Sequence, residues 1–156
     1  MAINVDNITL EEGMQFNTLQ NDIIYVVLAQ SELAQELTGG IRKSQKPQRT
    51  QPPTVEDCVI SSLSIEGGSV QFGTTNVNIY VPDKPDTTTS NASEPAQWEV
   101  NTDRIKQLAG LARKVLTKHY SNNGWAFELV AQDVLEEAAL HCHRLWLKIR
   151  FNFHNS

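Results

Sequence analysis

Two stretches of the chain space their apolar residues three or four positions apart, which is the pattern of one helix face. The first follows Asn21-Asp22, a pair able to cap a helix N-terminus, and ends at Gly39-Gly40, where glycine suits a left-handed helix end. The second follows Thr102-Asp103 and keeps its basic residues largely off the apolar stripe. We therefore predict two amphipathic helices. Their stripes are Ile24, Val27, Leu28, Ser31, Ala34 and Leu37 (or Ile23, Val27 and Ala34), and then Ile105, Leu108, Leu111, Ala112, Val115, Leu116 and His119.

Four further stretches, residues 58–65, 70–81, 125–132 and 145–153, are rich in β-branched residues or alternate between apolar and polar positions. The glycine-containing segment 66–69 predicts a turn that joins the first two as a hairpin. The last stretch is the clearest strand, since one face is almost wholly apolar, as in an antiparallel strand packed on one side. That face consists of Leu145, Leu147, Ile149, Phe151 and Phe153.

Together these patterns predict an α+β fold with the element order α-β-β-α-β-β. A four-stranded, mainly antiparallel sheet with the two helices packed on one face would bury every apolar stripe, and helices on both faces are the alternative. We expect residues 1–20 to form an N-terminal arm or cap and residues 21–154 to form a single domain. Residues 42–54 and 82–101 are predicted to be long polar loops, and residues 136–140 a linker.

Composition narrows the possible functions. The chain has 156 residues, a formal net charge of −5 and a pI near 5.3, which argues against a general nucleic-acid binder. The longest apolar run, 23–29, is too short to cross a bilayer, and the N-terminus has no secretory-signal pattern. Cys58 and Cys142 are too few for a disulfide framework. We expect a cytoplasmic protein without a membrane partner.

The most tempting chemistry is the run His141-Cys142-His143, because imidazole and thiolate are zinc ligands. Neighbouring strand residues point in opposite directions, however, so the run favours ordinary packing over a metal site. The carboxylates are scattered, and Pro82-Asp83-Lys84 lacks the second acid and the strand-borne lysine of a nuclease motif. We therefore predict no catalytic site, no metal site and no cofactor.

The candidate functional residues are instead protein contacts. Four basic residues gather within residues 42–49 with no acid between them, which indicates either a solvated loop or an arm that docks on an acidic surface. Glu136 and Glu137 form an acidic corner, with Glu128 and Asp133 nearby in sequence, that could supply this surface on a neighbouring copy. A head-to-tail contact of this kind builds a ring if it closes. Trp98 either anchors its polar loop to a partner or holds it on its own domain. The basic residues are Arg42, Lys43, Lys46 and Arg49.

The order of elements and three stretches of sequence resemble the small tail-completion, tail-terminator and head–tail joining proteins of tailed bacteriophages and prophages. The stretches are ELTGGIRK with its basic loop, then FGTTNVNIYVPD followed by DRIKQLAGLARKVL, and finally WAFELVAQDVLEE with RLWLKIRFNF. They span about residues 20–153. The resemblance carries no catalytic motif, so no functional residue transfers to this chain.

What the resemblance implies is a structural protein that forms a ring, often a hexamer, and caps or joins the tail tube during virion assembly. Its partners would be other copies of itself and phage tail or head–tail proteins, in the host cytoplasm and then in the virion. Sequence-specific nucleic-acid binding is not expected. Two other functions stay open, namely a small cytosolic binding or regulatory module and, less favoured, a metal-dependent enzyme.

Overall fold

The computed structural model describes residues 3–10, 17–50, 53–65, 70–86 and 97–154. The helices of this part of the chain are α1 (Asn17–Ala29), α2 (Glu32–Glu36) and α3 (Thr102–Leu116). The strands are β1 (Ile41–Lys43), β2 (Asp57–Ser62), β3 (Val70–Pro82), β4 (Lys84–Asp86), β5 (Gln97–Glu99), β6 (Lys118–Tyr120), β7 (Trp125–Glu137) and β8 (Cys142–His154). Short 3-10 turns occupy Val5–Asn7 and Ala138–Leu140. No described helix is long and apolar enough to cross a membrane.

Six of the strands form one curled mixed sheet in the order β1-β2-β3-β8-β7-β6. β1 runs parallel to β2, and every other neighbouring pair is antiparallel. The long strands β3, β7 and β8 make up its centre. β4 and β5 pair separately as a small antiparallel hairpin.

The two sides of the large sheet differ in what covers them. One side, which we call the helix face, packs against α1 and α3 and carries the buried apolar residues of alternate strand positions, such as Ile60, Ile79, Phe127 and Leu147. The other side, the open face, carries the intervening positions, which include Trp146. It is covered in part, since Val59 and Asn78 on this side are buried. Most of the apolar core therefore lies between one side of the sheet and the helices.

The predicted fold class is wrong. Instead of a four-stranded sheet with two helices in the order α-β-β-α-β-β, the described residues form a mostly β structure with eight strands and three α-helices. The apolar positions of the final strand were nonetheless identified correctly, since all five are buried. The error lies in the short elements and in where the long elements end.

In the first half of the chain, the predicted single helix is divided into α1 and α2. Ser31 ends α1, because both its N–H and its hydroxyl donate to the Leu28 carbonyl, at 3.1 and 2.7 Å. After α2, β1 overlaps the start of the predicted basic loop 42–54. Its residues are too polar to reveal a strand, and its backbone pairing with β2 is what fixes it. The predicted turn 66–69 lies outside the described residues.

In the second half, α3 begins at Thr102, and its cap is Asn101, which accepts from the Arg104 N–H at 3.3 Å, instead of the predicted pair Thr102-Asp103. It ends at Leu116, so the predicted stripe residue His119 lies in β6, which follows directly and pairs with the start of β7. β7 continues to Glu137, past the start of the predicted linker 136–140, after a register shift between Leu129 and Ala131. The predicted loop 82–101 contributes β4 and β5, and its residues 87–96 lie outside the described part.

The described part of the predicted N-terminal arm packs on the body. The Trp125 indole N–H donates to the Ile8 carbonyl at 2.9 Å, and His119 Nε2 lies 2.7 Å from the Asp6 carboxylate. Residues 3–10 therefore cover the end of the sheet that carries β6. Residues 17–20 belong to α1, and residues 11–16 lie outside the described part.

Candidate assembly surfaces

The carboxylates at the start of β2 are neutralised within the chain. Glu56 accepts two hydrogen bonds from the Arg104 guanidinium, at 2.6 and 2.8 Å, and Asp57 accepts two from Arg49, at 2.9 and 2.7 Å. The bond to Glu56 is the main cause that raises the pKa of Arg104 above its ordinary value. We call these four residues the β2 charge cluster. They join β2 to α3 and to the basic segment, so Arg49 has a structural partner.

The other basic candidates lie in β1 or just after it. Lys43 donates to Asp22 at 2.8 Å, and the Lys46 ammonium lies 5.1 Å from the centre of the Tyr80 ring. Arg42 is exposed and makes no ion pair with any described residue. The basic segment is thus held on its own domain, with Arg42 as its uncompensated charge.

The acidic corner contains both paired and unpaired carboxylates. Glu137 lies 3.0 Å from the Arg144 guanidinium, and Glu128 pairs with another arginine of β8. Glu136 is exposed and has no ion pair among the described residues. The same holds for Asp133, three residues earlier in the strand. The available negative charge of this corner therefore lies on Asp133 and Glu136.

The second half of β7 is an unpaired sheet edge. β6 pairs only with 126–128, and beyond these residues no described strand lies opposite β7 on that side. We call Gln132, Val134 and Glu136 the β7 edge; the Val134 side chain is 41% exposed. A groove of about 290 Å³ separates this edge from α3. Its lining is Ile105, Lys106, Ala109, Arg113, Gln132, Asp133, Val134 and Leu145.

The opposite end of the sheet is also open. β1 has β2 on one side and no described strand on the other. We call Ile41 and Lys43 the β1 edge. A broad depression of about 640 Å³ lies beside it and is lined by Tyr25 of α1 together with residues 41–45. Tyr25 is 36% exposed, so each open edge has a helix and an accessible apolar surface next to it.

Trp98 lies in β5 and stacks on the His141 imidazole, with the ring centres 4.5 Å apart. This contact holds the β4–β5 hairpin against the start of β8. His141 has a φ of 51°, a left-handed conformation that is uncommon for a residue other than glycine. The geometry therefore gives Trp98 a partner within its own domain.

The run His141-Cys142-His143 does not converge on one point. His141 stacks on Trp98, whereas His143 Nδ1 lies 2.6 Å from Asp83 Oδ1. Cys142 is buried, and burial raises the pKa of its thiol to about 11, so it is protonated at neutral pH. Among the described residues no group of histidine, cysteine and carboxylate side chains is placed to hold a metal ion.

Comparison with known proteins adds no relative, since neither a family model nor a curated protein matches the chain.

The sequence reasoning missed Ile41 and Val134 as contact candidates, whereas Asp133 was already placed near the acidic corner. The sequence shows no alternation there, because Val130 and Ala131 are apolar, Gln132 and Asp133 polar, and Val134 and Leu135 apolar again. The sequence also did not show that β6 is too short to cover this part of β7. That depends on where α3 ends and not on β7 itself.

Proposed function

We propose that this protein is a structural assembly protein that joins copies of itself into a ring. Its class would be that of the phage tail-completion and head–tail joining proteins, whose sequence pattern it resembles. In this function the protein performs no catalysis, and its product is the assembled ring together with the surface that the ring offers to tail proteins.

The observation that carries this proposal is the opposite charge of the two open sheet edges. Exposed Arg42 and the paired Lys43 lie at β1, whereas exposed Asp133 and Glu136 lie on β7 at the far end of the sheet. Lys106 and Arg113 of α3 also line the groove beside β7, so the opposition of charge is between the two edge strands and not between the two ends of the sheet as a whole. Opposite charges attract and bring the correct surfaces together, while like charges placed opposite each other disfavour association. The pattern therefore favours contact between the β1 end of one copy and the β7 end of the next.

A contact between two different surfaces of the same chain has a consequence for the assembly. It is heterologous, so each copy keeps one surface free for another neighbour, and the series ends only when the ring closes. A two-fold dimer through β7 would instead bring two copies of the same acidic edge close together. The charges thus favour a ring over a dimer.

Sedimentation velocity over a wide range of protein concentration tests the proposed function. We expect monomers at low concentration and one discrete larger species at high concentration, without a continuous series of sizes. Raising the salt concentration should shift the balance towards monomers, because exposed charges are screened. A monomer at every concentration would exclude the ring.

The open face supports a second candidate, a binding or regulatory module. It carries Trp146, whose indole N–H donates to Asn76 at 2.8 Å, and Lys148, which has no ion pair among the described residues. Aromatic side chains such as that of Trp146 are enriched at protein interfaces. A monomer that captures a ligand through this face would favour the module.

A further inference from the structure

We propose that the β7 edge receives the β1 edge of a second copy as an added antiparallel strand, so that the two six-stranded sheets become one. This inference deepens the proposed function and rests on it, since it specifies how neighbouring copies in the ring make contact. The partner is a second copy of this chain, and the contact is made by backbone hydrogen bonds as well as by charge.

The backbone of the β7 edge points outward. On β8, the His154 N–H donates to the Gly124 carbonyl at 2.7 Å, so every second residue back from His154, including Trp146, directs its backbone towards β7. Asp133 is opposite Trp146 and therefore faces β8, which leaves Val134 facing away from it. Consistent with this, the Val134 N–H donates to the Asp133 carboxylate at 2.8 Å.

The backbone of the β1 edge also points outward. The Gly40 carbonyl accepts from β2 at 2.8 Å, and the Ser44 N–H donates to β2 at 2.7 Å. Because alternate residues of a strand face the same neighbour, Ile41 and Lys43 direct their N–H and C=O groups away from β2. Two of these outward groups have local partners, since the Val134 N–H donates to Asp133 and the Lys43 carbonyl accepts from the Gln45 N–H at 3.1 Å. A further strand would replace these local bonds and pair with the remaining outward groups of each edge.

The strand directions fit a ring. β1 is parallel to β2, and three successive antiparallel pairings then lead from β2 to β7, so β1 and β7 run in opposite directions within one copy. Rotation about a ring axis roughly parallel to the strands preserves strand direction. The β1 edge of the next copy would therefore meet β7 as an antiparallel strand.

The side chains restrict the register. Ile41 pairs with Cys58 and Val134 with Leu145, both on the helix face, while Arg42 and Asp133 lie on the open face. A continuous sheet must keep each side chain on its own face. The register that places Ile41 opposite Val134 also places Arg42 opposite Asp133, which matches an apolar pair and an ion pair at once.

The grooves beside the two edges suit the same arrangement. Joining the edges would bring α1 of one copy next to α3 of its neighbour, on the helix face of both sheets. The half-exposed Tyr25 ring would then lie over the groove between α3 and β7, where Ile105, Ala109 and Val134 offer an apolar lining. Burial of this surface adds to the backbone pairing.

The acidic residues could instead serve only to protect an exposed edge, since charged side chains at sheet edges prevent unwanted pairing. A protective charge needs no matching position on the other edge. The charge-swap experiment separates the two roles, because only a contact is restored when both charges are exchanged.

The test compares Arg42→Glu, Asp133→Arg and the double variant with the wild-type protein by sedimentation velocity. We expect each single variant to lose the oligomer and the double variant to regain it. The matched control is the same exchange in the β4–β5 hairpin, Lys84→Glu with Glu99→Arg, where the two residues are direct cross-strand partners. The control should leave the oligomer unchanged.

A backbone variant provides a second, independent test. Val134→Pro removes an N–H that faces away from β8, and proline is tolerated on edge strands for this reason. We expect a folded protein, as judged by circular dichroism, that stays monomeric, while Val134→Thr still assembles. If Val134→Pro does not fold, the charge-swap series alone decides.

Each outcome distinguishes the two proposals. A wild-type protein that never assembles overturns the ring and the strand addition together. A wild-type oligomer that survives both single charge changes overturns the strand addition and leaves the ring intact. Single variants that dissociate without rescue in the double variant overturn the assigned pairing of Arg42 with Asp133. A dimer that depends on Val134 but not on Arg42 assigns the edge to a two-fold contact and overturns β1 as the partner.

Discussion

The start of β2 and the second half of β7 both carry carboxylates, but these differ in burial and in whether an arginine of the same chain pairs with them. Glu56 and Asp57 are buried and each accepts paired hydrogen bonds from an arginine of the same chain. Asp133 and Glu136 are exposed on the second half of β7, which has β8 on one side and no described strand on the other. The comparison indicates that charge at β2 maintains the fold, whereas charge at β7 is free for contacts between copies.

The largest expected effect is at the β2 charge cluster. Arg104→Met should lower the free energy of unfolding by about 3–5 kcal/mol, because it leaves the Glu56 carboxylate buried without its cation. Urea denaturation measures this. Lys114→Met is the control, since Lys114 lies 3.7 Å from Glu32 in an exposed pair and should change stability by less than about 1 kcal/mol. Equal effects of the two substitutions would contradict a structural role for the cluster.

A second test probes how tightly α1 packs against β3. A Cβ at Gly73 would overlap the side-chain amide of Gln20, which is fully buried and accepts from the Thr75 hydroxyl at 3.0 Å. Gly73→Ala should therefore lower the free energy of unfolding by about 1–3 kcal/mol, as overpacked interiors do. Thermal and urea unfolding would show this, and an unchanged midpoint would mean that α1 can move away from the sheet.

The third substitution is expected to stabilise the fold. Gly110 lies inside α3, and a Cβ there would meet no atom within 4 Å. Gly110→Ala should raise the free energy of unfolding by about 1 kcal/mol, since alanine favours the helix over glycine. The oligomer should be unaffected, which would show that stability and assembly vary independently. A loss of assembly would place Gly110 within the contact.

The smallest effect on folding is expected at β7. Asp133→Asn should change the free energy of unfolding by no more than about 0.5 kcal/mol, as for most surface substitutions. It should nevertheless weaken the oligomer measurably in a dilution series. A large loss of stability without a change in assembly would mean that Asp133 maintains the fold, which would contradict the contrast between β2 and β7.

The sequence predicted those elements whose own side chains define them. β8 and α3 were recognised because their apolar residues alternate or recur at helical spacing, and these residues are buried in the core. β1, β4, β5 and β6 are three residues each, too short to carry a pattern. Such strands exist because a neighbour pairs with them, and that information lies elsewhere in the chain.

The candidate contact residues, too, were predicted only as far as their local sequence allowed. Arg42 and Glu136 were selected from local charge, and both are exposed. Local charge did not reveal that Lys43, Lys46 and Arg49 have partners within the chain, since those partners are distant in sequence. Val134 could be recognised as an edge residue only once the end of β6 was known.

Disulfide trapping tests the joined sheet most directly, with Arg42→Cys and Asp133→Cys introduced into one chain. In the proposed register these residues form a non-hydrogen-bonded antiparallel pair, with Cα atoms about 4.5 Å apart, a separation that a disulfide spans. Within one copy three strands separate β1 from β7, and Cys58 and Cys142 are buried. Mild oxidation should therefore give a ladder of covalent multimers on a non-reducing gel, and Arg42→Cys with Glu137→Cys should give none. Monomers only, or equal ladders from both pairs, would contradict the account.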